Sequence, residues 1–394
     1  MSKLSLPNLD LTLGRWYLHD QRQIIDCLLA YQKPPSICDL RGILDRALTL
    51  EPMGLEDAAL LIRTIETPEL FHRVIAAADA LRRRGFGNSV KVYVPLYISN
   101  YCANNCSYCG FRRNNQRLVR RLLDVSEFVR EIEQLLAIGH RNIEVVLGYD
   151  RRVTTGETLS RFIEPLRLRL DALGGGTIIL MTEPMDVRDY AELKTAGVTE
   201  VYSWQETYHE ETYAEIHPKG THKADFDWRT QVFDRVIEGG IRRIGMGFLL
   251  GLYQWDYEEL SLTAHALWIR DTYGIEPYAF GTPRFQPANE VPLKKSPWPA
   301  SDNMYRLSVA IRRLLFPYTH TYMNTRESFG FLLDLLASGG TEINTEASTV
   351  PGGYTTKVAD NAQFFHYSFD SATTFGELRQ AGYLPTFGEI VPHF

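Results

Sequence analysis

Residues 91–111 read KVYVPLYISNYCANNCSYCGF, a β-branched and aromatic run that passes directly into three cysteines spaced C-x3-C-x2-C. The first part, KVYVPLYI (91–98), has the composition and length of a buried strand. Seven runs of the same kind follow: NIEVVLG (142–148), TIILMT (177–182), EVYSWQ (200–205), RRIGMGFLL (242–250), PYAFGTPRF (277–285), HTYMNT (320–325) and TEINTE (341–346). Between them lie stretches with apolar residues three and four apart, such as VSEFVREIEQLLAIG and YEELSLTAHALWIRDTYG, several closed by glycine as helices commonly are. Eight strands alternating with helices predict a (βα)8 barrel of the TIM type over 89–350. Its functional groups are then expected at the C-terminal strand ends. The last two runs are weak strand formers, so a partly open barrel is the competing expectation.

Residues 1–88 carry only helical patterns, QRQIIDCLLAYQ, DLRGILDRALTL and PELFHRVIAAADALRRR, and predict a helical N-terminal extension. The tail, 351–394, predicts a loop, a short helix and a terminal coil that cap one end of the barrel. With 394 residues, 44% of them apolar, the chain has ample material for a large core. Its 42 basic and 48 acidic side chains give a net charge of −6, which argues against a nucleic-acid partner. No uncharged apolar run reaches about 18 residues, and the start lacks a basic-then-apolar leader, so a cytoplasmic protein without a membrane partner is expected. The basic stretch FRRNNQRLVRR (111–121) has two readings, a solvated helix face or a docking patch for an acidic electron carrier.

Five cysteines in a chain of this length are no disulfide framework. Cys27 and Cys38 are isolated, whereas Cys102, Cys106 and Cys109 share one loop after the first strand. Three thiolates so placed can hold three irons of a cubane cluster and leave the fourth open. A structural zinc site needs four ligands, usually as two pairs, and no cysteine follows Cys109 to supply the second pair. A nucleophilic Cys–His pair would leave two of the three thiols unexplained.

The segment CANNCSYCGF (102–111) resembles the CxxxCx(aromatic)C motif of the radical S-adenosylmethionine (SAM) enzymes. RRGFGNSVKVYVPLYISNYCANNCSYCGFRRNN (83–115), SWQETYHEETYAEIHPKGTHKADFDWR (203–229), TPRFQPA (282–288), NTRES (324–328) and PGGY (351–354) are similar to the aromatic amino acid lyase subgroup. That subgroup holds tyrosine lyases of thiamine-thiazole synthesis and of [FeFe]-hydrogenase maturation, and a tryptophan lyase. The resemblance spans roughly residues 40–390. It implies a [4Fe–4S] cluster on Cys102, Cys106 and Cys109, with SAM on the open iron. A 5′-deoxyadenosyl radical would then start cleavage of the Cα–Cβ bond of L-tyrosine to p-cresol and 2-iminoacetate. The implied partners are the amino acid, a flavodoxin or ferredoxin reductant, and a thiazole synthase that receives the imine.

Residue roles follow from the same resemblance. Arg326 of NTRES matches the arginine that binds the substrate carboxylate, a task suited to a bidentate guanidinium. Tyr97 matches a catalytic tyrosine of the substrate pocket, and Arg284 and Asn344 fall at substrate-side positions. Tyr108 is implied beside the adenine; Gly148, Asp150, Glu183, Gln205, Glu206, Tyr208 and Arg229 are implied to face SAM. Three departures stand out. The family's glycine-glutamate after the second strand reads Gly148-Tyr149, leaving Asp150 as the nearest carboxylate. A serine beside the substrate carboxylate is replaced by Asn344. The chain reads GYLPTFGEIVPHF (382–394) with no C-terminal CxxC for a second cluster. A single-cluster tyrosine lyase is expected, with another amino acid such as tryptophan, or a cluster scaffold without SAM cleavage, as alternatives.

Overall fold

The computed structural model describes residues 16–356 and 363–394. Eight strands form the barrel: β1 (Ser89–Ser99), β2 (Asn142–Leu147), β3 (Thr177–Met181), β4 (Glu200–Trp204), β5 (Arg243–Gly247), β6 (Ala279–Gly281), β7 (His320–Tyr322) and β8 (Glu342–Asn344). They follow one another in chain order, all parallel, and β1 pairs with both β2 and β8, so the barrel is closed. The two weak runs shorten to three residues each, yet both take their places in the ladder. A short strand suffices there because its neighbours supply the hydrogen-bonding edges on both sides.

Helix ends follow local chemistry. Asp124 caps helix Val125–Ile138 by accepting from the Glu127 amide, while Glu127 reaches back to the Asp124 amide, and Gly139 closes the helix at φ 120°. Helices Leu55–Arg63 and Pro68–Phe86 of the N-terminal region pack on barrel helices Trp255–Tyr273 and Asp302–Leu315, so this region shares the barrel's apolar core. Helix Leu55–Arg63 was not among the expected segments. The first 15 residues of the expected extension, and 357–362 of the expected cap, lie outside the described residues.

Inside the barrel the strand alternation stacks side chains in layers. Lys91, Glu200 and Glu342 are fully buried at the N-terminal strand ends, Tyr93, Tyr202 and Tyr322 lie above them, and Tyr97, Glu144 and Trp204 border a cavity at the C-terminal ends. Glycine makes room for the large rings: a Cβ on Gly281 would stand 2.6 Å from the Trp204 indole.

The C-terminal segment serves both ends of the barrel rather than one. Gln363 accepts from Tyr97 Oη (2.5 Å), its carbonyl accepts from the Gly110 amide (2.9 Å), and Phe364 lines the cavity. The last residues run under the opposite end, where the expected coil contains a ninth strand, β9 (Leu384–Thr386), paired with Ser89–Lys91. There Ile390 O meets His320 Nε2 (3.1 Å). Among the described residues no helix is long and apolar enough to cross a membrane.

Candidate active site

A cavity lies at the C-terminal ends of the strands, with about 1080 Å³ of space between atoms when its solvent-open mouth is counted. Cys102, Cys106 and Cys109 all line it, on the loop that leaves β1. The loop lies close over the end of β2: a Cβ on Gly148 would stand 2.5 Å from Tyr101 O and 3.0 Å from Cys102 Cβ, so only glycine admits this approach. Ala103 N donates to Tyr149 O (2.8 Å) and Arg113 N to Asn104 O (2.8 Å), fixing the loop on both sides. Burial pushes the thiols up, Cys102 and Cys106 to about 12 and Cys109 to about 11.

Among the described residues no three His, Cys, Asp or Glu side chains gather as a metal-ion site. A zinc ion needs its ligands drawn onto one atom, whereas a cubane takes each thiolate on a different iron. Three thiols on one loop and one cavity wall, with no fourth cysteine beyond them, suit three irons of a cubane better than the four ligands of a structural zinc site.

Beside the cysteines stands a network of buried charge. Glu183, beyond β3, accepts from Asn104 Nδ2 (2.7 Å) and from Arg229 Nη1 (3.1 Å). Arg229 also donates twice to Trp204 O (3.0 and 2.7 Å), tying the end of β4 to helix Phe226–Thr230. Glu206 accepts from Lys223 Nζ (2.6 Å). Burial raises its carboxyl, but the Lys223 and Arg229 cations outweigh it and hold Glu206 below the usual carboxylate range. Its backbone is left-handed, φ 73°, a strained state for a non-glycine residue that turns the side chain into the cavity. Tyr108 lines the same wall and shares a hydrogen bond with His217 Nε2 (2.9 Å).

Across the cavity, Arg326 lies four residues beyond β7, its guanidinium 3.6 Å above the Phe364 ring. Its Nε has no hydrogen-bond partner, and among the described residues no carboxylate comes within ion-pair reach. The adjacent Glu327 is held elsewhere by Arg284 (Nη2–Oε2 2.5 Å, Nε–Oε1 3.1 Å). Burial lowers the Arg326 guanidinium from its ordinary value, with Glu206 acting against it. A half-buried cation with an open hydrogen-bonding face is a ready site for a carboxylate.

Thus Tyr97, Tyr108, Gly148, Glu183, Glu206, Arg229 and Arg326 meet the cysteines in one cavity. Five expected site residues do not. Asp150 turns away, its carboxylate held by Ser99 Oγ (2.9 Å) and Arg152 (2.9 and 2.7 Å), and cannot replace the missing glutamate. Gln205 falls on the outward phase between Trp204 and Glu206. Tyr208 is a core residue, its amide bound to Glu258 Oε2 (2.8 Å) and its hydroxyl to His265 Nδ1 (2.9 Å). Arg284 is consumed by Glu327 and Asp302 (2.7 Å). Asn344 accepts from the Thr325 amide (2.8 Å) and so shapes the loop that carries Arg326 without lining the cavity.

Lys223 and Glu144 line the cavity without having been singled out in the sequence. Only the alternation of β2 hints at Glu144: with Ile143 and Val145 in the core outside the barrel, it must face inward. Tyr149, at the departing position, stacks on His222 (4.6 Å between centroids). The basic stretch 111–121 forms no helix: Arg120 donates to Phe111 O (2.8 Å) and Arg112 O (2.7 Å), Arg117 pairs with Glu290 and Arg121 with Glu127.

The radical SAM superfamily model matches residues 96–267. The chain is 32% identical over 324 residues to 2-iminoacetate synthase of Escherichia coli K12, covering 81% of this chain and 82% of that protein. The crystal structure of HydG, a maturase of the [FeFe]-hydrogenase, superposes with a TM-score of 0.87 at 30% identity, covering 93% of this chain and 80% of HydG. Methylornithine synthase (PylB) shares the fold with a TM-score of 0.69 at 21% identity, covering 87% of this chain and 97% of PylB.

Proposed function

Since the chain belongs to the radical SAM superfamily, in the group of 2-iminoacetate synthase and HydG, we propose that it cleaves the Cα–Cβ bond of L-tyrosine to give p-cresol and 2-iminoacetate. It is an enzyme of radical C–C lyase chemistry whose cofactors are a [4Fe–4S] cluster and SAM. When bound, these supply a 5′-deoxyadenosyl radical. The rest falls to the protein's own residues.

Cys102, Cys106 and Cys109 hold the cluster. Glu183 and Glu206, with Arg229 and Lys223 between them, offer both charges to the zwitterionic methionyl end of SAM. Glu183 would take its ammonium group in place of the glutamate that Tyr149 replaces, and Tyr108 would border the adenine. Arg326 binds the substrate carboxylate, and Tyr97, steadied by Gln363, borders the substrate amino group. The substrate gives up one hydrogen from that amino group and its Cα–Cβ bond breaks homolytically. The 4-hydroxybenzyl fragment takes one electron and one proton to become p-cresol, and the remainder leaves as 2-iminoacetate. Trp204, Phe285 and Phe364 exclude water and competing hydrogen donors. The electrons come from flavodoxin or ferredoxin in the cytoplasm, and exposed Arg113 beside the cysteine loop suits an acidic carrier. The imine passes to a thiazole synthase.

The observation that carries this reading is Arg326, without a counter-ion among the described residues, facing three free thiols across one cavity. Anaerobically reconstituted protein, given SAM, reductant and L-tyrosine, is expected to form p-cresol, glyoxylate from hydrolysis of the imine, and 5′-deoxyadenosine. Formation of 5′-deoxyadenosine without p-cresol, with products from tryptophan instead, would reject tyrosine as the substrate.

A further inference from the structure

Glu144 sits on the floor of the cavity, and none of the roles above uses it. It lies on β2 opposite Pro95 of β1, with 2% of its surface exposed. Tyr322 Oη donates to its carboxyl group at 2.9 and 3.0 Å. The Tyr322 ring is itself fixed, stacked on Tyr93 (4.4 Å) and tilted against Trp204 (5.3 Å). A carboxyl in such a place is unfavourable unless its lone pairs are used, and a leucine or valine would fill a barrel layer without that penalty. One tyrosine proton satisfies only part of a carboxyl group, which when protonated still has an O–H to donate and further lone pairs to accept with. The rest of its capacity opens onto the cavity that holds Arg326.

The two polar anchors therefore lie at different depths. Arg326 is on the loop beyond β7, whereas Tyr322, the partner of Glu144, is the last residue of that strand. Between them the walls are aromatic, from Tyr97, Trp204, Phe285 and Tyr322. Burial, against the Tyr322 hydrogen bond, pushes the Glu144 carboxyl up to about 8, so at neutral pH it is an uncharged acid that both donates and accepts. An uncharged acid among aromatic rings matches a neutral polar group on a ring and leaves an ammonium ion unneutralised.

We propose that Glu144, positioned by Tyr322, is a specificity-determining residue that selects an aromatic amino acid whose ring carries a neutral hydrogen-bond donor, a phenol or an indole N–H. The proposal rests on the lyase reading for the position of the substrate and adds the recognition of its side chain. A pocket built to hydrogen-bond such a group rejects the analogue without it, because the pocket's own polar atom is then left unpaired.

The test is equilibrium binding of L-tyrosine, L-tryptophan, L-phenylalanine and L-lysine to the reconstituted, SAM-loaded protein, by calorimetry. The native protein should bind tyrosine or tryptophan at least about tenfold more tightly than phenylalanine and lysine, the larger of the first two affinities identifying the ring donor. Glu144→Gln, which still donates and accepts, should keep most of that preference; Glu144→Leu should abolish it while phenylalanine binds at least as well as before. Tyr322→Phe, which keeps the ring, should lower the preference partway. Iron content and cluster absorbance report that each variant is folded and loaded. Equal affinity of the native protein for phenylalanine, a preference that survives Glu144→Leu, or lysine as the tightest ligand would overturn the proposal. Cleavage assays on the same samples separate the two claims: a donor preference without cleavage products removes the lyase reading alone, and cleavage with no donor preference removes the selection alone.

Discussion

The barrel buries charge at both ends, and the two ends treat it differently. At the N-terminal end, Lys91 Nζ lies 2.9 Å from Glu342 Oε1 and 3.8 Å from Glu200 Oε1. Tyr202 Oη donates to Glu200 (2.7 Å), His320 Nδ1 approaches Glu342 (3.1 Å), and Arg243 bridges Glu200 (3.7 Å) and Glu389 (2.6 Å) of the C-terminal segment. Burial alone would lower the Lys91 ammonium, but the two carboxylates outweigh it and hold it above its ordinary value. Each carboxylate there lies within ion-pair distance of a cation, although Glu200 Oε1 and both Glu342 oxygens keep no hydrogen bond, and none of the three residues lines the cavity. At the C-terminal end Glu183, Glu206, Lys223 and Arg229 are paired but border open space, and Arg326 has no counter-ion among the described residues. Buried charge completed within the chain serves stability; charge left incomplete marks where a ligand completes it.

This contrast is open to direct perturbation. Replacing any one of Cys102, Cys106 or Cys109 by alanine should reduce bound iron to a small fraction and 5′-deoxyadenosine below detection, with the melting temperature of the iron-free protein unchanged. Iron analysis and thermal denaturation check both halves. Lys91→Met leaves Glu342 without its cation and Glu200 with only the more distant Arg243, and should remove about 3–5 kcal/mol of stability, measured by urea unfolding, while turnover per loaded cluster stays the same. Arg326→Met should do the reverse: kcat/KM falls about a hundredfold, or about 2–3 kcal/mol, with stability unchanged or raised because an uncompensated cation is gone.

Smaller effects probe the paired end alone. Burial raises the Glu200 carboxyl from 4.5 to about 7, against Lys91. The folded chain then keeps a proton that the unfolded chain releases, so stability declines as pH rises from about 4.5 to 7, and Glu200→Gln should flatten that part of the profile. Replacing Lys91, Glu200 and Glu342 together by methionine and glutamines removes the cluster as a unit and should change stability least of all, close to neutral.

Much of this was readable from the chain itself, for identifiable reasons. The eight strands were legible because both faces of each are buried, which writes apolar and β-branched runs into the sequence. β9 was not, since Leu384-Pro385-Thr386 is three residues at a sheet edge with a proline, too short for any period. The cysteines were legible because their spacing is local. Asp150, Tyr208, Arg284 and Asn344 were misplaced because what removes each from the cavity is a neighbour's identity together with the direction of a side chain. Arg284 depends on Glu327, 43 residues away, and Tyr208 on His265, 57 residues away. Glu144 was missed for a related reason: a lone acid in a strand run reads as a solvent-facing position, and only barrel closure turns that face inward.

The sharpest test of the account compares L-tyrosine with tyramine, the same molecule without its carboxylate, as ligands of the SAM-loaded protein. If Arg326 is the open charge that a substrate carboxylate completes, the native protein should bind tyrosine about a hundredfold more tightly than tyramine, and Arg326→Met should bind the two alike. Equal affinity of the native protein for both would contradict it.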